Sequence, residues 1–239
     1  MAVIWRQWVE GFDAMNQGTG CTVTIDSAGV GRDKNKLTST IANATDTEDE
    51  ATGLVAMTAY LPAGDQGRIR FKWKPLAYPP GDPWNPLDNA IFMQIGRTTP
   101  TVEVFETYAE PDQQIAMFSR AGTLRATNVS EENTGPVTVA GQEYTVEVAW
   151  KGATDGSGLC RVWLDESLIH EFTGLTMGSV GSCSVTNLAL GFHHYDGTDT
   201  EGLSCEIRWA QLSDDHLETL VDPPLEQDAF MPSGRRGGN

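Results

Sequence analysis

Apolar and polar residues alternate along most of the chain, in short runs broken by Gly, Pro, Asn and Asp. Alternation with period two places successive side chains on opposite faces of a strand, and short strands separated by turn residues are the pattern of an antiparallel sandwich or barrel. Strands are predicted in "WRQWVEGFD", "GCTVTID", "GLVAMTAYLP", "GRIRFKWKPL", "NAIFMQIGR", "TVEVFETYA", "QQIAMFSRA", "GTLRATNV", "QEYTVEVAWKG", "GLCRVWLD", "SLIHEFTG", "VTNLALGFHHY" and "GLSCEIRWAQL". In "EYTVEVAW" the inward set is Tyr144, Val146, Val148 and Trp150, leaving Glu143, Thr145 and Glu147 on a face expected to be wet. A helix signal occurs in "LSDDHLETLV", where Ser213 can cap the first turn, Asp214 and Asp215 suit its positive end, and Pro223 stops it.

Two segments break the strand rhythm. "AYPPGDPWNPLDN" carries four prolines and Trp84, which predicts a stiff projecting loop whose tryptophan either stacks on a sugar ring or packs back on the sheet. The last stretch, "DPPLEQDAFMPSGRRGGN", has no period and only Leu225, Phe230 and Met231 as apolar anchors. It reads as an extended arm over 223–239, after a single domain over 1–222. The arm is expected to order only against a partner or a neighbouring subunit.

Charge changes the picture in one place. The 239 residues carry 16 Lys and Arg against 33 Asp and Glu, a net charge of -17, so phosphate backbones and anionic lipid are repelled and neither nucleic acid nor a membrane surface is an expected partner. Against that background "GRIRFKWKPL" sets Arg68, Arg70, Lys72 and Lys74 on one face of a strand whose other face is Ile69, Phe71 and Trp73. Three readings compete for the stripe: solvation, pairing with acids of the same sheet such as Glu143 and Glu147, or docking of an acidic partner at a subunit or particle interface. Docking is the expectation, because exposed ion pairs contribute only ~0 to 1 kcal/mol each.

"MAVIWRQWVEGFD" has no charged leader followed by a long apolar run, and no segment approaches a membrane span. Synthesis in the host cytoplasm without a signal peptide is the expectation. Cys21, Cys160 and Cys205 fall in inward positions of apolar alternations, and no C-x-x-C spacing occurs, so buried free thiols are predicted; Cys183 lies in a Gly/Ser-rich turn.

The region from Tyr144 to Leu220 resembles the C-terminal half of a concanavalin A-like lectin/glucanase jelly roll of the laminin-G-like kind. "EYTVEVAW" followed by the hairpin "CRVWLDESLIHEF" is similar to the strand, Asp-containing turn and strand of those domains. "LALGFHHYDGTDTEGLSCEIRWAQLSDDHL" is similar to their closing pair of strands, and "WVEGFD" to the first strand, which lies beside the last. The resemblance implies an all-β fold, an antiparallel jelly-roll β-sandwich of two sheets, here with a short C-terminal helix and the extended arm.

This fold hosts lectins, glycan hydrolases, adhesion modules and virion proteins, so function rests on the sites. Retaining glycan hydrolysis needs two carboxylates ~5 to 5.5 Å apart. Glu103 and Glu106 are three residues apart, which in a regular strand sends them to opposite faces, and "TDTEDE" reads as a solvated acidic loop. No catalytic residues are expected. His193 and His194 are adjacent and cannot chelate one metal from a regular strand; His193 and Tyr195 are kept as ligand-binding candidates with Trp84. Asp196, Asp199 and Glu201 in "DGTDTEG" fall where laminin-G-like domains bind calcium or sugar, and are the candidate Ca2+ ligands. Together these readings favour a non-catalytic structural virion protein, a bacteriophage capsid decoration or tail accessory protein. It would contact other virion proteins and copies of itself through Arg68, Arg70, Lys72, Lys74, Leu225, Phe230 and Met231. The alternatives are a carbohydrate-binding module or lectin, and a glycan hydrolase.

Overall fold

A computed structural model describes residues 5–7, 14–17, 20–26, 36–41, 51–56, 66–77, 90–96, 103–109, 115–118, 120–121, 124–125, 138–151, 153, 155–175, 187–195 and 203–222. They form sixteen strands: β1 (Trp5–Gln7), β2 (Ala14–Gln17), β3 (Cys21–Asp26), β4 (Lys36–Ile41), β5 (Ala51–Ala56), β6 (Gln66–Ala77), β7 (Ala90–Gly96), β8 (Glu103–Ala109), β9 (Ile115–Phe118), β10 (Arg120–Ala121), β11 (Leu124–Arg125), β12 (Tyr144–Lys151), β13 (Gly158–Leu164), β14 (Ser167–Leu175), β15 (Asn187–Tyr195) and β16 (Leu203–Ser213). All pairings are antiparallel. The first sheet runs β14-β13-β12-β6-β16-β4-β3, with β1 on the free half of β16 beside β4; the second runs β2-β5-β15-β7-β8-β9. The two sheets meet where β15 approaches β4 and β16, and where β5 approaches β3 and β4. This is the jelly-roll β-sandwich that the family resemblance implied, and one of the two architectures, sandwich or barrel, that the strand pattern allowed.

The core of the first sheet follows from alternation. Tyr144, Val146 and Val148 of β12 stand opposite Trp73, Phe71 and Ile69 of β6, and Ile69, Leu212, Phe71 and Ala210 pair on the other side. All are buried. Gly67 lies opposite Trp150, and a Cβ there would fall 2.5 Å from the indole, so this close approach requires glycine. Cys21, Cys160 and Cys205 are buried free thiols, as expected; burial pushes Cys160 up and Cys205 to about 12, which keeps both protonated and inert. Cys183 lies outside the described residues.

Two expectations are corrected. The segment after β16 is not a helix. The Ser213 hydroxyl accepts from the Asp215 N–H at 3.2 Å, the Asp215 carboxylate from the Leu217 N–H at 2.9 Å, and Glu218 N–H donates to the Asp215 carbonyl at 3.1 Å. Side chains that could cap a helix instead close a turn, and residues 219–222 continue without regular structure as a strap. The second correction concerns β12, where Thr145 and Glu147 are as buried as the apolar set: the supposed wet face is covered. The arm over 223–239 lies outside the described residues.

Candidate functional site

The cover on that face is an ionic cluster built on the stripe of β6. Register carries a row across four strands, from Gln211 of β16 to Arg70 of β6, Glu147 of β12 and Trp163 of β13. Arg70 Nη1 donates to Glu147 at 2.8 Å, while its Nε and Nη2 donate to Asp222 at 2.9 and 2.6 Å. Arg68 Nε donates to the other Glu147 oxygen, and the Arg68 guanidinium stacks 4.4 Å from the Trp163 ring centroid. Lys72 donates to the Thr145 hydroxyl and lies 3.9 Å from Asp222. Burial by itself would lower the Arg70 pKa, but its bonds to Glu147 and Asp222 and their charges outweigh that, and the net effect is upward.

Local structure brings in the remaining acids. The β13–β14 hairpin turns through Asp165 and Glu166, both at positive φ (47° and 66°), the two-residue geometry whose twist matches the flanking strands. The Asp165 carboxylate accepts from the Thr145 N–H at 2.7 Å and its own N–H donates to the Thr145 carbonyl, which fixes the turn against β12. Glu166 is thereby held over β6, 3.3 Å from Arg70 Nη2. The strap arrives from the other side: Leu220 is buried, Asp222 meets Arg70, and His216 Nδ1 lies 2.9 Å from Gln66 Oε1. Between strap and hairpin lies a cavity of about 380 Å³ lined by Arg68, Arg70, Glu147, Trp163, Glu166 and residues 219–222.

The stripe is therefore not four solvent-facing cations. Arg70 keeps 7% of its side-chain exposure, and the in-chain pairing with Glu147 is realised. Glu143 instead pairs with Arg208 at 3.2 Å, and Lys74 stands opposite Glu206, whose carboxylate takes Lys36 at 2.8 Å. Sequence reasoning missed Asp222, Glu166 and Trp163, none of which is near the stripe along the chain.

In the second sheet one row crosses all six strands: Ala14, Leu54, Ala189, Gln94, Glu106 and Phe118. Irregularities gather around β7. Between Leu190 and His194 the strand β15 carries extra residues against β7, with Gly191 at φ 108°, and further shifts separate Ile91 from Met93 and Ile95 from Gly96. His193 sits in the first of these, His194 stands opposite Ile91, and Tyr195 opposite Ala90. The last shift pairs Glu106 with Gln94 and Glu103 with Gly96, two residues apart on β7. The argument that separated the two glutamates assumed a regular strand, and the strand between them is interrupted by a bulge. Trp84, Asp196, Asp199, Glu201, Leu225, Phe230 and Met231 lie outside the described residues, and among the described residues no group of three or more metal-ligating side chains gathers.

No protein-family model matches the chain, and no curated protein sequence matches it. Solved structures do. The endo-β-1,4-glucuronan lyase of the fungus Trichoderma reesei superposes with a TM-score of 0.62 at 17% identity, over 86% of this chain and 92% of that one. The PL-14 alginate lyase of Aplysia kurodai gives 0.64 at 8% identity over 89% and 99%, and alginate lyase Aly36B 0.53 at 9% over 84% and 99%. Likeness at these identities shows the fold. It also corrects the expectation of a non-catalytic virion protein: these three structures, matched over nearly their whole length, are lyases of glucuronan and alginate, which favours the glycan-directed alternatives.

Proposed function

We propose that the chain acts on a polysaccharide and cleaves it by elimination. The observation that carries this reading is the near full-length match of its sandwich to glucuronan and alginate lyases. Elimination removes the proton next to a uronate carboxyl and expels the neighbouring glycosidic oxygen, so the substrate class is an acidic polysaccharide. The chemistry needs a base, an acid and donors for the carboxylate. Around β15, β7 and β8 the backbone gathers His193, His194, Tyr195, Gln94, Glu103 and Glu106, residue types able to fill those roles. The bulges there support the reading, since such irregularities recur where strands re-aim side chains beside active sites.

The test is incubation with glucuronan, alginate and a neutral β-glucan. Unsaturated ends, seen by ultraviolet absorbance, should appear with an acidic polymer and be lost in Tyr195→Phe or His193→Ala. New reducing ends without that absorbance would mean hydrolysis, retention of the polymer without cleavage would mean a binding module, and either result replaces the elimination reading.

A further inference from the structure

We infer that the cavity between the strap and the β13–β14 hairpin is a second saccharide site, taking one carboxylate-bearing sugar residue on the face of the first sheet turned away from the sandwich interior. The ligand class rests in part on the acidic substrate proposed above; the site rests on its own geometry. Arg68 is the reason. Only its Nε is engaged, with Glu147, so among the described residues the four N–H bonds of its two Nη atoms have no protein acceptor, although its side chain is 14% exposed and lines the cavity. An arginine held this way, stacked on Trp163 and pinned at Nε, presents a planar fork that matches a carboxylate with two parallel bonds.

The acids around that fork are taken up by Arg70. The charged lining of the cavity is Arg68 and Arg70 against Glu147, Glu166 and Asp222, with Lys72 3.9 Å from Asp222, and each of the three carboxylates is bonded to Arg70. Among the lining side chains this leaves the Arg68 fork as the cationic group open to an incoming carboxylate. The other walls suit a sugar and not a bare ion. Val221 and the Trp163 edge offer apolar surface to the C–H face of a pyranose, and Glu166 and Thr219 offer oxygens to its hydroxyls. The cavity, about 380 Å³, is at the small end of ligand pockets, which suits one or two sugar rings.

The experiment titrates the full chain with D-glucuronate, D-glucose and acetate and follows the Trp163 indole N–H by NMR, assigned with Trp163→Phe. Glucuronate should shift that resonance saturably, glucose and acetate should do so at least about tenfold more weakly, and Arg68→Lys, which keeps the charge and loses the fork, should weaken glucuronate by about tenfold or more. A Trp163 resonance that glucuronate leaves unmoved in the unmodified chain overturns the proposal, as does equal response to acetate, which would mean a plain anion site. A folded Arg68→Lys variant that binds normally does the same. The probe contains no cleavable linkage, so binding without polymer cleavage sinks the proposed function alone, and cleavage without binding sinks this site alone.

Discussion

On one face of β6, Ile69, Phe71 and Trp73 are enclosed by hydrocarbon from β12 and β16; on the other, Arg70 is enclosed nearly as completely by Glu147, Asp222 and the hairpin acid Glu166. The first face is stabilised by area removed from water, at about 25 cal/mol per Å² of apolar surface, whatever the partner's identity. The second has no such general gain. Enclosing a charge is costly, and the attraction of a partner offsets that cost only where geometry and hydrogen bonds are nearly complete. Apolar faces thus tolerate approximate partners, whereas the ionic face depends on named ones.

That contrast can be broken at its strongest point. Glu147→Ala leaves Arg68 and Arg70 enclosed without their shared acceptor and should destabilise by about 3 to 5 kcal/mol, comparable to Phe71→Ala on the other face. Chemical denaturation of both variants checks this; a loss under ~1 kcal/mol for Glu147→Ala would mean the outer face is wet after all. Replacing Arg68, Arg70 and Glu147 together with Met or Leu sharpens the comparison, since an apolar set of similar volume should restore most of the lost stability. Gly67→Ala comes next: its Cβ cannot coexist with the Trp150 ring, and a cost of about 1 to 3 kcal/mol should appear as a lowered Tm. Asp222→Asn should matter less, because Asp222 is a third exposed and Arg70 retains Glu147; a loss near 1 kcal/mol that shrinks in high salt is expected.

The smallest effect is one of pH. Burial lowers the His216 pKa, with Asp215 opposing and the cations Lys151, Arg161 and Arg68 assisting. The unfolded chain then binds the proton more readily than the folded one below about pH 6.5, so the contribution is present above that pH and lost as pH falls. His216→Gln should flatten a shallow decline in Tm between neutral and mildly acid pH, and an unchanged slope would remove His216 from the account.

Most strands were legible because their inward residues are large and apolar. Strand β4 was not. In "KLTSTI" the buried positions are Leu37 and Ser39, and Ser39 is inward because it faces Cys205 on one side and Val23 on the other. A small hydroxyl in a tight inter-strand position carries no hydrophobic signal. The segment after β16 misled for the reverse reason: Ser213 and Asp215 serve a helix start and a closed turn equally well, and burial of Leu220 with the Asp222–Arg70 pair favours the turn. Of the outer cluster the cations were visible, but their acids were not, since Asp222 lies 152 residues from Arg70 and Glu166 96.

By itself the sequence determined the period-two strands, the inward sets of β6, β12 and β13 and the buried thiols. Each follows from alternation, which is a property of neighbours along the chain; the first strand lying beside the last was implied by the family resemblance alone. Only the tertiary structure decided which polar face is covered, because that depends on which distant segment crosses it. The same holds for the strand between two glutamates: the extra residue of β8 against β7 breaks the regular alternation that the spacing argument assumed, and a bulge is set by the register of a partner strand. Local chemistry chooses the faces of a strand, and what lies against each face is a long-range outcome.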